Sequence, residues 1–256
     1  MGRTDRGAQF LLAGIEDDMK KLTLGSLALI VMTGTAAAQA QDLMVSGATD
    51  WTGFYAGVHA GGAFTGSNTG IDVHGYNYTP GAAVDIGNTS DFIGGVQLGY
   101  NWQFDGYVLG VEGDLSYLGY SASGVDAAWP DTAYSASADW LATLRLRAGA
   151  VVDNTLIYAT GGLALADLKY SAVDDCVGGA CGVDTIDASL SRSLGYVLGA
   201  GIEHDFGNRW SLKGEYLFAG FQGGTATGAA LTGGDYDFVF DRTSIHTVRL
   251  GLNYRF

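Results

Sequence analysis

The sequence predicts an all-β protein: an eight-stranded antiparallel transmembrane β-barrel with short turns at one end and four long loops at the other. Three observations predict it. Eight segments alternate apolar and polar residues with period two, the pattern of a strand with lipid on one face and a polar lumen on the other. The connections between them alternate between tight turns and long loops. Beyond the amino-terminal region no apolar run reaches the roughly 18 residues that a spanning helix needs, so any span is built from strands.

The first segment, Trp51–Phe64, sets His59 on its inward face. The second, Phe92–Phe104, puts Phe92, Val96, Leu98, Tyr100, Trp102 and Phe104 on one face with Gly94, opposite Gln97, Asn101 and Gln103. A helix, with a period of 3.6, would mix these sets. The third, Tyr107–Gly119, carries Glu112 and Asp114 inward. The fourth, Asp139–Val152, sets Trp140, Ala142, Leu144, Leu146, Ala148 and Val152 against Thr143, Arg145 and Arg147. The fifth is Thr155–Leu168. In the sixth, Ser193–Phe206, the residues Tyr196, Leu198, Ala200, Ile202 and Phe206 oppose Gly195, Gly199, Gly201, Glu203 and Asp205. The seventh, Trp210–Phe221, turns Lys213 and Glu215 inward. In the eighth, Ile245–Phe256, Val248, Leu250, Leu252, Tyr254 and Phe256 alternate with Thr247, Arg249, Gly251, Asn253 and Arg255.

Asp105-Gly106, Asp153-Asn154 and Gly207-Asn208-Arg209 are tight-turn sequences whose residues tolerate positive φ. The other connections, after Phe64 and around Tyr120–Ala138, Lys169–Arg192 and Gln222–Ser244, read as long loops rich in Asp and small residues. Aromatics cluster at both ends of the strands: Trp102, Phe104, Tyr107, Phe206, Trp210, Tyr254 and Phe256 near the turns, and Phe64, Phe92, Tyr117, Trp140 and Phe218 near the loops. Two girdles about 25 Å apart suit the two interfaces of a bilayer.

Composition agrees. The 256 residues include 41 Gly and 2 Pro, and 16% are charged, against roughly 25% in ordinary soluble domains. The net charge of −14 argues against a nucleic-acid partner, whose phosphates would be repelled. Met19-Lys20-Lys21, the apolar stretch Leu22–Thr35 and Ala38-Gln39-Ala40 have the order of a secretory signal peptide, with cleavage expected after Ala40. Glu16, Asp17 and Asp18 are out of place in such a leader, so translation is expected to start at Met19; a genuine longer leader is the alternative. Residues 41–50 are then a short periplasmic segment and 51–256 the barrel. Export would place Cys176 and Cys181, the only two cysteines, where disulfides persist, and a local disulfide between them is expected.

WTGFYAGVHAGGAF, GGVQLGYNWQF, VLGVEGDLSYLG, YATGGLALA, GAGIEHDF, WSLKGEYLF and TVRLGLNYRF resemble the successive strands of small outer-membrane β-barrel proteins of Gram-negative bacteria, the porin-like or OmpA-like barrels. The resemblance spans the mature chain and implies an outer-membrane location. It also makes Phe256 the assembly signal read by the barrel assembly machinery, and outer-membrane lipid and lipopolysaccharide the partners; the chain departs from the family in its loops, so an extracellular ligand of the loops is expected from their exposure and not from the resemblance.

The predicted lumen holds four acids, Glu112, Asp114, Glu203 and Glu215, and four bases, Arg145, Arg147, Lys213 and Arg249. A hairpin of the third and fourth segments would set Glu112 opposite Arg147 and Asp114 opposite Arg145. An eight-stranded interior is only just wide enough for side chains, so mutually neutralised charges are expected to form a packed polar plug. The expected function is structural: envelope integrity and presentation of surface loops. The alternatives are a narrow pore lined by these charges, and a lipid-modifying enzyme using Ser244, His246 and Asp241 at the outer rim. No enzyme activity is expected, and no cofactor or metal is implied.

Overall fold

The computed structural model describes residues 49–66, 68–74, 80–125, 132–174, 186–230 and 234–256. The expected signal peptide and the Cys176–Cys181 pair lie outside them. Twelve strands are formed among the described residues: β1 (Gly53–Thr65), β2 (Asn68–Asp72), β3 (Ala82–Gly87), β4 (Ser90–Phe104), β5 (Tyr107–Val125), β6 (Thr132–Val152), β7 (Thr155–Asp174), β8 (Ile186–Gly207), β9 (Trp210–Phe221), β10 (Gly224–Ala229), β11 (Asp235–Phe240) and β12 (Thr243–Arg255). Eight of them close an antiparallel barrel in the order β1-β12-β9-β8-β7-β6-β5-β4, so first and last strands pair and no edge is left open within the membrane. The three tight turns fall where the sequence places them. Asp105, Asp153, Asn208 and Arg209 adopt φ between 52° and 68°, as hairpin turns require.

Alternation sorts the side chains as expected. Leu144, Leu146, Leu198, Leu250 and Phe104 are more than half exposed on the outer wall, whereas Arg145, Lys213 and Arg249 are at most 1% exposed inside. Glycines let large inward rings lie flat against the wall. The Tyr55 ring occupies the space over Gly99 and the Tyr158 ring that over Gly201, where an added Cβ would stand 2.3 and 2.5 Å from ring atoms. Gly99→Ala is therefore expected to displace Tyr55 and lower the unfolding free energy by about 1–3 kcal/mol, read from the urea midpoint in lipid vesicles.

The expected long loops are corrected by the structure. β5, β6, β7 and β8 run 19, 21, 20 and 22 residues, so the Tyr120–Ala138 and Lys169–Arg192 connections are largely strand. At about 3.4 Å per residue they extend far past an apolar band roughly 25 Å tall. The connections after β1 and β9 each fold back as a hairpin, and the two hairpins join into a four-stranded sheet, β10-β11-β2-β3. Its outer strands β3 and β10 lie against the upper parts of β5 and β8 without continuing their ladders.

Inward Tyr120, Ala122, Tyr134, Ala136, Tyr170, Ala172 and Ala188 explain this extension: with Val84, Ile86, Phe238 and Phe240 from the small sheet they form one buried apolar cluster. Tyr170 and Phe240 stack at 5.1 Å, and Tyr134 meets Phe238 edge-on at 6.0 Å. The alternation was hard to see because its partners are alanine and serine, nearly equal in size and close in hydropathy. The cluster continues down through Ile93, Leu118, Leu141, Val197, Leu217 and Ile245, filling the extracellular end of the lumen.

Candidate functional site

Below the apolar layer the lumen is occupied by charge. All eight ionic residues named from the sequence converge there, drawn from β5, β6, β8, β9 and β12 by the inward phase of each strand. The side chains of Glu112, Asp114, Arg145, Arg147, Glu203, Lys213, Glu215 and Arg249 are each no more than 2% exposed.

Glu112 is the hub. One carboxylate oxygen accepts from the Arg145 guanidinium and from Lys213 Nζ at 2.8 Å; the other accepts from Lys213 Nζ at 2.9 Å, from the Tyr55 hydroxyl at 2.6 Å and from Arg147 Nη1 at 3.4 Å. Arg145 also donates to Asp114 at 3.0 Å and to Glu215 at 3.0 Å, so a single guanidinium ties together three carboxylates. Arg249 closes the ring from the far side of the barrel, donating to Asp114 at 3.1 Å and, through Nε, to Glu215 at 2.8 Å. Arg147 donates to Glu203 at 2.9 Å, and its guanidinium sits between the Tyr55 and Tyr158 rings, 5.0 and 4.7 Å from their centroids. Charge-assisted bonds of this density offset the cost of removing eight ions from water.

The expected register is corrected by two residues. Glu112 lies opposite Arg145 and Asp114 opposite Thr143, while Arg147 faces Gly110. A bulge between Tyr117 and Tyr120 shifts the ladder, and below it Tyr107 pairs with Ala150, so Arg147 lies two residues nearer the periplasmic end than Glu112, where it reaches sideways to Glu203.

Neutral partners complete the layer and were not singled out from sequence. Thr143 and Ser116 donate to Asp114, Ser211 and Asn253 donate to Glu203 at 2.6 and 2.7 Å, and Tyr158 donates to Glu215 at 2.8 Å. His59, read as a lone lumen residue, bonds Gln97 and meets Ser116 at 2.8 Å. Their inward phase was legible; their partners lie on strands far apart in the chain.

At the periplasmic mouth a third layer was missed. Trp51 is fully buried beneath the charges, its backbone N–H donating to Gln103 at 2.8 Å and its ring covered by the Arg255 guanidinium at 4.8 Å. Arg255 is paired with Asp205, which also accepts from Thr49 at 2.9 Å. The signal was the inward phase of Arg255 and Asp205, but nothing local shows that residues before the first strand fold back under the lumen.

At the outer rim His246 Nδ1 is 2.6 Å from the Tyr216 hydroxyl and its ring packs edge-on to Phe218 at 5.1 Å. Ser244, on the same face of β12, pairs with Gly220. The Asp241 backbone N–H donates to Thr69. Among the described residues, no group of three or more His, Cys, Asp or Glu is arranged to hold a metal ion.

Residues 26–256 match the family described as outer membrane protein beta-barrel domain. The chain is similar to the 31 kDa outer-membrane immunogenic protein of Brucella melitensis biotype 1, 34% identical over 259 residues covering 93% of this chain and 100% of that protein. It is similar to the 22 kDa outer membrane protein of Rhizobium leguminosarum bv. viciae, 31% identical over 217 residues, 85% of this chain and 83% of that one. Among solved structures, the outer membrane protease OmpT of Escherichia coli aligns with a TM-score of 0.49 at 8% identity, covering 80% of this chain and 97% of that one. With its closed eight-stranded barrel and apolar outer wall, the chain belongs to the outer membrane protein beta-barrel domain family and is a protein of the Gram-negative outer membrane.

Proposed function

We propose that this barrel works closed, as a rigid stave of the outer membrane that carries a folded extracellular extension and conducts no solute. The observation that carries this reading is the succession of three packed layers along one lumen. Trp51 and Arg255 lie at the periplasmic mouth, eight paired charges in the middle, and an apolar plug around Tyr134, Tyr170, Phe238 and Phe240 above them. A hydrated ion would have to break several charge-assisted bonds and then part a dry aromatic layer. Envelope integrity follows from such stiffness, and the extension supplies the surface.

An enzyme is not part of this reading. Glu112 and Asp114 are saturated by cationic partners inside a closed wall, and His246 is engaged by Tyr216. Assembly through the carboxy terminus is supported by Phe256, 70% exposed at the periplasmic rim and edge-on to Tyr254 at 5.5 Å. Single-channel recording of the folded protein in a planar bilayer is expected to be silent, and to stay silent when Arg147 alone is replaced by Ala, because the apolar layer above remains. Steady steps from the native protein, in preparations whose gel mobility shifts on boiling, would replace this reading with that of a pore.

A further inference from the structure

The segment ahead of the first strand does something that the closed-lumen reading does not require. Gly53 opens β1 with φ at 133°, a conformation that favours glycine, and the residues before it, 49–52, leave the barrel wall and cross the periplasmic mouth outside any strand. Their contacts reach five different barrel strands. Gln103 on β4 accepts from the Trp51 backbone N–H at 2.8 Å and donates its own backbone N–H to the Thr52 hydroxyl at 3.2 Å. The Trp51 side chain joins a buried cluster with Val108 of β5 and with Leu156 and Tyr158 of β7. Thr49 donates to Asp205 of β8 at 2.9 Å.

Arg255 of β12 makes the fastening. Its guanidinium covers the Trp51 ring at 4.8 Å, donates to the Asp50 carbonyl at 2.8 Å, and pairs with Asp205, the same carboxylate that holds Thr49. Its backbone N–H donates to Arg209 in the β8–β9 turn at 2.8 Å, and that of Phe256 donates to Phe54 at 3.0 Å. Asp50 and Arg255 are 205 positions apart in the chain, yet they flank the β1–β12 seam that closes the barrel.

We propose that residues 49–52 are a strap drawn across the mouth as the last step of barrel closure, and that Trp51 under Arg255 is the clasp that keeps the seam from reopening. The order follows from connectivity. Glu112 and Arg145 belong to neighbouring strands of one hairpin and can meet while the barrel is still open. The clasp joins the segment before the first strand to the last strand, so it has no partner until β12 has been laid against β1. A contact absent from the folding transition state adds nothing to the folding rate and its full worth to the barrier against unfolding. A guanidinium stacked on a buried indole adds a charge–ring attraction to the burial of a large apolar surface. The clasp therefore sets how long the inserted barrel persists, not how fast it forms. It acts on the seam, whether or not the lumen conducts.

The protein is extracted, unfolded in urea and returned to lipid vesicles, and its folding and unfolding rates are followed by the gel shift between folded and unfolded forms. Trp51→Ala and Arg255→Ala are each expected to unfold at least about tenfold faster than the native protein and to fold within about twofold of its rate. Because both open the same clasp, the double variant is expected to unfold no more than about twofold faster than the faster single variant. Should Trp51→Ala give no folded form, Trp51→Leu takes its place, keeping an apolar side chain at the mouth while removing the ring under the guanidinium. Gly53→Ala leaves every side chain of strap and clasp in place but strains the turn, and is expected to speed unfolding in the same way. Folding slowed by as large a factor as unfolding is speeded overturns the proposal, because the strap would then be in place before closure. Unchanged unfolding rates overturn it too. So do single effects that multiply in the double variant, which would make Trp51 and Arg255 independent contacts.

Discussion

Replacing Arg145 by Ala is expected to lower the unfolding free energy by about 3–5 kcal/mol, the cost of leaving a buried charge network without one partner. The size follows from the three carboxylates that Arg145 joins: Glu112, Asp114 and Glu215 are all buried, and none can reach water to recover solvation. The lumen then holds four acids against three bases. Equilibrium urea unfolding in lipid vesicles, read by the gel shift between folded and unfolded forms, measures the loss. A paired variant, Arg145→Met/Glu112→Gln, restores the balance of sign and should recover at least half of it. Equal loss in the single and paired variants would mean that guanidinium packing, not charge balance, holds the layer together.

The second large effect lies in the extension. Phe238 is fully buried on β11 between the small sheet and Tyr134. Phe238→Ala is expected to cost about 3–5 kcal/mol by cavity formation. Because the small sheet is not joined to β5 and β8 by hydrogen-bonded ladders, this cost should appear locally. Hydrogen exchange is expected to lose protection in β2, β3, β10 and β11, while the lower barrel keeps its protection and its heat-modifiable mobility. Uniform loss of protection would show instead that extension and barrel unfold as one unit.

Much of this was legible in the chain. The eight barrel strands were found because lipid and lumen impose opposite chemistry on alternate residues, and Leu144, Arg145, Leu146 and Arg147 record that in four letters. The tight turns were legible because Asp105, Asp153 and Asn208 tolerate positive φ. The eight lumen charges were legible by phase alone. Their pairing was not, since a bulge such as that between Tyr117 and Tyr120 shifts a ladder, and a shift of two residues moves Glu112 from Arg147 to Arg145 without changing which face either occupies.

What the sequence determined by itself, then, was the phase of each residue in the eight membrane-spanning segments, inward or outward, lipid or lumen, and the place of the three tight turns. The tertiary structure alone decided the properties set by closure. Barrel closure brought Arg249 of the last strand to Asp114 and Glu215, and folded Trp51 beneath the charges. It also turned presumed loops into a second, apolar storey, because Ala and Ser differ too little in hydropathy to reveal a period until tyrosine and phenylalanine from distant strands meet across the lumen. Alternation is a local consequence of strand geometry, whereas which strands meet, and in what register, is fixed only when the sheet closes on itself.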